Sequence, residues 1–418
     1  MNSTGLYGLL LLLLFNNGAS QVIIKTLPGY SGNLPFKLET GYIGVGENEE
    51  VQLFYYFIES ESNPNMDPLL LWMSGGPGCS GLVGFFYDIG PCTFDVENFD
   101  GSLPSIILNP YSWTKVANII FIDAPVGTGF SYANTSQGYS SSDIKSAKDI
   151  FTFLRKNNAM QWLLNHPVFI KNRLYVAGES YGGKLVPMVA MEILQGNETG
   201  LQPQMSFQGY IIGNGLTDSN IDFNARIPYV HRMALISDEY FESAKINCDG
   251  KYYNRDPNNL QCTYALQRIQ KNQDYSASDV WANNQIVQKA LYIRKGMITR
   301  WRTCSDRISY NQNVESALEY HKILIKKGYH VLVFNGDHDM AAPYMGPLKW
   351  IHILNLTIDD DWRPWLVNGQ VAGYTEKYKK NDFDLTFVTV KGAGHTASSY
   401  KPKECLTMLH RWLSRRPL

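Results

Sequence analysis

Residues 173–194 read RLYVAGESYGGKLVPMVAMEIL. A short apolar run is cut by Gly178-Glu179-Ser180-Tyr181-Gly182, and the stretch 184–194 that follows carries its apolar residues at helical spacing. A brief continuous apolar run bounded by glycine suits a buried strand. Gly-x-Ser-x-Gly between a strand and a helix is the setting in which a strained turn lifts a serine hydroxyl above the end of a sheet. The bare pattern is weak, because glycine-containing chains produce it by accident. The flanking elements are what make it informative.

Working outward, the runs PLLLWM (68–73), NIIFID (118–123), GYIIGN (209–214), HVLVFN (330–335) and LTFVTV (385–390) have the same character. Continuous rather than alternating apolarity fits strands covered on both faces, so a mostly parallel central sheet is expected. Helical patterns lie between the runs, notably at 142–158. This alternation predicts an α/β fold. The interval 216–329 breaks the rhythm, being polar and aromatic with Cys248, Cys262 and Cys304. It reads as a mostly helical lid insertion into one domain spanning 21–418, with a free-standing domain as the alternative.

A serine hydroxyl becomes a nucleophile only when a base takes its proton, and a third group must hold that base. FNGDHDMAAP (334–343) follows one strand and VKGAGHTA (390–397) another, which gives the order Ser, acid, His. That is the chain order of an α/β hydrolase. Asp337 sits where Asn335-Gly336 would make a turn, so its carboxylate suits local backbone donors. Asp339 lies further into the loop and is the expected acid. His338 has no metal-ligand spacing around it and reads as a loop residue. His395 is the expected base. The glycine-rich WMSGGPGCSG (72–81) closes an early strand where this architecture needs an amide to meet an oxyanion. The residue after the nucleophile, Tyr181, should supply the other amide.

The chain of 418 residues is 44% hydrophobic and 18% charged, which allows a large core. A formal charge of -1 and a pI near 6.7 offer no basic surface for nucleic acid or an anionic membrane. Residues 1–20 contain an apolar run, Leu9 to Phe15, that is too short to span a bilayer and is followed by Gly18 and Ser20. A signal peptide cleaved near Ser20 is expected, with a poor anchor as the alternative. Secretion makes the six cysteines disulfide candidates and the sequons at Asn134, Asn197 and Asn355 glycan candidates.

GGPGCSG, FIDAPVGTGFSYA, GESYGGKLVP, GDHDM and GAGHTA together resemble the plant serine carboxypeptidase-like family over essentially the whole mature chain. The resemblance implies a catalytic triad of Ser180, Asp339 and His395, oxyanion amides at Gly76 and Tyr181, and an α/β-hydrolase fold with a helical lid. It also implies disulfides Cys79–Cys304 and Cys248–Cys262, with Cys92 and Cys405 free. No cofactor and no metal is implied. The family holds peptidases that remove a carboxy-terminal residue, and acyltransferases that move an acyl group from a 1-O-β-glucose ester to an alcohol. Both run through one acyl-enzyme.

Those peptidases carry asparagine before Gly-Gly to hold the peptide carboxylate, whereas this chain has Ser74, which offers a single hydroxyl donor. IDAPVGTGFSYA, HDM and GHTA also look more like the acyltransferase branch. Asp88 and Glu179 match acidic positions around the peptidase substrate carboxylate, and with Trp72 and Ser74 they form the expected substrate-binding set. The resemblance therefore favours a small-molecule acyl donor and an alcohol acceptor over a peptide C-terminus, and places the protein in the secretory pathway, extracellular or vacuolar. Two departures stand out. The segment after Cys262 is shorter than in relatives and lacks two cysteines, and Ser398-Ser399 replaces a proline and an acidic residue, which predicts a looser His395 loop. A secreted binding protein without catalysis is the remaining alternative.

Overall fold

The six apolar runs become the parallel centre of a wider sheet. This is seen in a computed structural model that describes residues 21–46, 48–155, 162–256, 258–267, 276–298 and 300–418. The candidate signal peptide, 1–20, lies outside the described residues, as does 268–275 in the shortened segment after Cys262. Among the described residues the main sheet has twelve strands: β1 (Val22–Ile24), β2 (Leu38–Val45), β3 (Val51–Ile58), β4 (Leu69–Met73), β5 (Asn118–Ile122), β6 (Tyr132–Ala133), β7 (Leu174–Glu179), β8 (Phe207–Gly213), β9 (His330–Gly336), β10 (Thr357–Val367), β11 (Gln370–Lys380) and β12 (Phe383–Val390). They lie in the order β1-β2-β3-β5-β4-β7-β8-β9-β12-β11-β10, with β6 on β3. From β5 to β12 every pairing is parallel. The flanks are antiparallel.

Successive residues of a strand face opposite sides, and here both sides are apolar. Val176, Ile212, Val333 and Phe387 join one core cluster, whereas Ala177, Ile211, Phe334 and Val388 join the other. The first is covered by helices α1 (Asp143–Leu154) and α2 (Gly182–Glu198) through Ile150, Phe153, Leu185 and Val189. The second is covered by the C-terminal helix Pro402–Leu413 through Cys405, Met408 and Leu409. Double burial is why the parallel strands read as unbroken apolar runs. No described helix is long and apolar enough to cross a membrane.

The insertion joins β8 to its parallel neighbour β9. It is helical at 219–224, 226–232, 238–247, 260–267, 276–283 and 285–290. Its Trp281, Val287, Leu291 and Trp301 enter the same core cluster as the sheet residues of β2 and β3. A short strand, Ser309–Asn311, then pairs with Ser140–Ser142. Helix Leu318–Ile325 packs Leu324 and Ile325 into the first cluster and serves as the crossover helix back to β9. Disulfides join Cys79 to Cys304 and Cys248 to Cys262, and Cys92 and Cys405 are buried free thiols.

Of the three sequons, Asn134 and Asn355 are exposed. Asn197 is not free in the same way. Its Nδ2–H donates to the Met205 carbonyl at 2.9 Å, and its Oδ1 accepts from Arg155 at 2.8 Å and from the Met205 amide at 3.1 Å.

Candidate active site

Strand β7 ends at Glu179, helix α2 begins at Gly182, and the chain turns between them at Ser180 with φ +56°. A non-glycine residue in the left-handed region costs about 1 kcal/mol and persists only where neighbours hold it. Here the Ser180 amide donates to Gly213 O at 3.1 Å, and its carbonyl accepts from the amides of Gly183 at 3.0 Å and Leu216 at 2.9 Å. A Cβ on Gly182 would stand 2.4 Å from Met73 O, so only glycine lets the helix start this close to β4. A Cβ on Gly75 would fall 2.5 Å from Ser180 Cβ and 3.1 Å from Tyr181 N. The 74–76 segment thus lies directly against the serine turn. Tyr181 occupies the α2 N-cap, and the unpaired amides and positive dipole end of a helix start favour an anion.

The acid and the base come from loops at the carboxyl ends of β9 and β12, strands that follow β7 and β8 in the sheet. His395 Nδ1 is 2.8 Å from Asp339 Oδ2. Burial alone would raise the Asp339 pKa, but the charge and hydrogen bond of His395 and the Asn214 donor hold it below the ordinary carboxyl value. Burial disfavours imidazolium at His395. The Asp339 charge and hydrogen bond, aided by Asp88, nonetheless carry its pKa above the ordinary value, with Arg226 opposing. That coupling keeps the Nδ1 proton toward the aspartate and leaves Nε2 as the basic atom. Asp337 is engaged elsewhere: its carboxylate accepts from the Gly392 amide at 2.7 Å and ties the acid loop to the histidine loop. His338 is exposed, 3.8 Å from Asp337.

Asn214 was not singled out by sequence reasoning. Fully buried at the end of β8, it donates Nδ2–H to the same Asp339 Oδ2 at 2.7 Å and to Gly394 O at 3.4 Å, while Oδ1 accepts from the Gly336 amide at 3.4 Å. One side chain thereby spans the loops that carry acid and base. The signal was Gly213-Asn214-Gly215 at the end of an apolar run, where Asn214 takes φ +43°.

Glu179 and Asp88 are both buried and meet each other. Neither Asp88 oxygen receives a hydrogen bond from an ordinary donor among the described residues, and two carboxyls hydrogen-bond only when one is protonated. Burial pushes Asp88 up to about 7. Burial, and then the charge of Asp88, hold Glu179 well above the usual carboxyl range. Ser74 is 6% exposed, and its hydroxyl has no partner among the described residues. Trp72 takes an interior position, edge-on to Trp113 at 5.7 Å with its indole N–H close against Gly84.

The return limb of the insertion straps both flanks of the serine turn. On one side Cys304 is bonded to Cys79, Ser80 N–H donates to Thr303 O at 2.9 Å and Ser305 N–H to Gly78 O at 2.8 Å. On the other, Asp143 Oδ1 accepts from Tyr181 OH at 2.6 Å and Tyr310 OH at 2.8 Å, and Oδ2 accepts from Val314 N–H at 2.8 Å. The first limb is anchored too: Arg226 Nε–H donates to Ala341 O, and Tyr229 OH to Asp337 O, each at 2.7 Å. The His395 loop, expected to be loose at Ser398-Ser399, is held there. Residues 397–400 form a short helix, and the Ser399 hydroxyl donates to Tyr87 O beside Asp88.

Among the described residues no group of three His, Cys, Asp or Glu side chains is arranged to hold a metal ion. The arrangement suits acyl chemistry at a serine: a hydroxyl carried on a strained turn, a buried acid–base pair and a helix start facing a glycine-rich loop.

Comparison with known proteins agrees. The chain is similar to serine carboxypeptidase-like 17 of Arabidopsis thaliana, 47% identical over 431 residues that cover 98% of this chain and 97% of the relative, and to serine carboxypeptidase-like 7 of the same plant, 47% identical over 98% and 97%. Its fold is similar to that of KEX1(delta)p, a prohormone-processing carboxypeptidase of Saccharomyces cerevisiae, with a TM-score of 0.74 at 21% identity over 91% and 92% of the two chains. The serine carboxypeptidase family model matches residues 28–276 and 271–415. The two stretches overlap at 271–276, after Cys262. On this match and these identities, the chain belongs to the serine carboxypeptidase family.

Proposed function

We propose that this protein is an acyltransferase of the secretory pathway, extracellular or vacuolar, that moves an acyl group from a 1-O-β-glucose ester to an alcohol. Ser180 Oγ attacks the acyl carbonyl as His395 Nε2 takes its proton, and Asp339 steadies the imidazolium. The Gly76 and Tyr181 amides receive the oxyanion. Collapse expels glucose, which leaves with the proton from His395. The acceptor hydroxyl then gives its proton to His395 and attacks the acyl-serine, releasing the ester and restoring Ser180.

The observation that carries transfer over peptide cleavage is Ser74, a buried single hydroxyl where resembling peptidases present an amide to a carboxylate. The Asp88–Glu179 pair favours the second reading, a serine carboxypeptidase, because a shared proton would let it donate to a substrate carboxylate. Mass spectrometry after brief exposure to a hydroxycinnamoyl glucose ester, with Ser180→Ala as control, separates the two. An adduct on Ser180 that decays faster with an added alcohol, forming its ester, supports transfer. No adduct from a protein whose Ser180 reacts with a phosphonate moves the reading to the peptidase.

The acid pair has a stability signature. Asp88 rises from the ordinary 3.8 to about 7 and Glu179 stands well above its ordinary 4.5, so between those ordinary values and about 7 the folded pair keeps a proton that the unfolded chain releases. Stability therefore falls as pH rises through that window. Glu179→Gln removes one titrating group and keeps a hydrogen-bond donor for Asp88. Its melting temperature should fall less than that of the wild type between pH 4 and pH 7; parallel curves would show that the pair does not share a proton.

Glycans are expected on Asn134 and Asn355 and not on Asn197, whose amide is already spent on Met205. Site occupancy by glycopeptide mass spectrometry checks this, and full occupancy at Asn197 would contradict it.

A further inference from the structure

Arg226 stands at the edge of the Asp339 loop without an ion-pair partner among the described residues. Its Nε–H donates to the carbonyl of Ala341, whose own amide donates to Asp339 Oδ1 at 2.7 Å. Its guanidinium lies over the Phe223 ring, 4.4 Å from the centroid, and Phe223 is backed by Tyr253 at 4.7 Å. One edge of the planar group is therefore fixed to the acid loop and one face to an aromatic. No carboxylate among the described residues lies within ion-pair distance of it, and neither Nη has a hydrogen-bond partner there. Two acids reach it by charge and not by contact. Asp339 answers His395, Asn214 and the amides of Ala341 and Ala342. Asp222 accepts from the amides of Thr217 and Asp218 through Oδ2, its Oδ1 has no hydrogen-bond partner among the described residues, and burial pushes its carboxyl up to about 7, which weakens it as a counter-ion.

A half-buried guanidinium that meets one neutral carbonyl and a ring face, but no carboxylate at ion-pair distance, is suited to an anion supplied from outside. Its fork of donors suits a carboxylate taken in two-point fashion. Its charge also reaches His395, the residue that must touch the leaving or entering hydroxyl.

We propose that Arg226 binds the carboxylate of an anionic acyl acceptor, a hydroxy acid, and so makes the acceptor subsite selective for acids over neutral alcohols. The inference rests on the Ser180 acyl-enzyme reading and adds the class of acceptor to it. The neutral sugar leaving group and the acid acceptor both pass His395, but only the acid engages Arg226. The Asp88–Glu179 pair, which still holds a proton near neutral pH, offers at most one neutral donor to a carboxylate, whereas Arg226 offers a full charge.

The test is protection of Ser180 from a fluorophosphonate by succinate, lactate and glycerol at neutral pH, in the wild type, Arg226→Gln and Arg226→Lys. Succinate and lactate should slow labelling of the wild type, with apparent affinity reduced roughly tenfold or more in Arg226→Gln, the loss of one charge-assisted pair, and partly kept in Arg226→Lys. Glycerol should act equally on all three. Equal protection by the acids in wild type and Arg226→Gln, or none in either, overturns the proposal. Calorimetric titration of succinate needs no chemistry at Ser180: binding lost in Arg226→Gln upholds the subsite even if Ser180 proves unreactive, and unchanged binding overturns it. A melting curve of Arg226→Lys matching the wild type shows that the reading does not come from unfolding.

Discussion

Ser180→Ala is expected to lower turnover about 10⁶-fold, the scale on which removal of an activated nucleophile is felt. The protein should remain folded, for reasons visible in the turn. The backbone bonds of Ser180 to Gly213, Gly183 and Leu216 involve only main-chain atoms, and alanine meets the same left-handed conformation with the same Cβ against Gly75. Stability should therefore move by less than about 0.5 kcal/mol. Initial rates with a glucose ester, paired with a thermal melt, check both halves. A variant that keeps a hundredth of the activity would mean that another group attacks.

Asp339→Asn should lower turnover roughly 10⁴-fold and stability by about 1–3 kcal/mol, and the hydrogen-bond inventory explains why both fall. Asp339 Oδ2 faces two donors, Asn214 Nδ2–H and His395 Nδ1–H, and Oδ1 faces two more, the amides of Ala341 and Ala342. An amide has one accepting oxygen. Turned one way, its NH2 confronts the backbone amides; turned the other, it confronts Asn214 and forces His395 into the tautomer whose basic nitrogen points away from Ser180. Asp337→Asn is the informative control. It weakens one contact to the Gly392 amide and should leave turnover within a few-fold of the wild type. Equal losses at the two positions would remove Asp339 from its assigned role.

Much of this was legible in the sequence because the parallel centre writes itself as apolar runs. NIIFID, RLYVAG and HVLVFN are buried on both faces, and the residues that end such strands fall together at one edge of the sheet. The flanking strands were harder to see. Strand β2, LETGYIGV, carries Glu39 and two glycines inside a buried strand, and β10, TIDDDWRPWLV, carries three aspartates and Pro364, a composition tolerated because it lies at the sheet edge. The turn of that last hairpin did leave a mark: Asn368-Gly369, both at positive φ, is the dipeptide that a two-residue hairpin demands. Asn214 was missed for a different cause. Its importance lies in bridging residues far apart in sequence, Gly336, Asp339 and Gly394, and no local pattern encodes a bridge. Arg226 is of the same kind, an ordinary arginine in a helix until the acid loop is laid against it.

The insertion was expected as a lid, and its attachments say what sort of lid it can be. Its outgoing limb is bonded to the loop that holds Asp339, and its return limb is bonded to the glycine-rich loop, once through a disulfide, and to Asp143, which also holds Tyr181. A hinge that swung this element outward would pull on the acid, the serine turn and the glycine-rich loop together. The insertion is thus a wall and not a door. A change in the wall's sequence is therefore felt, through these same bonds, at the acid loop and at the glycine-rich loop.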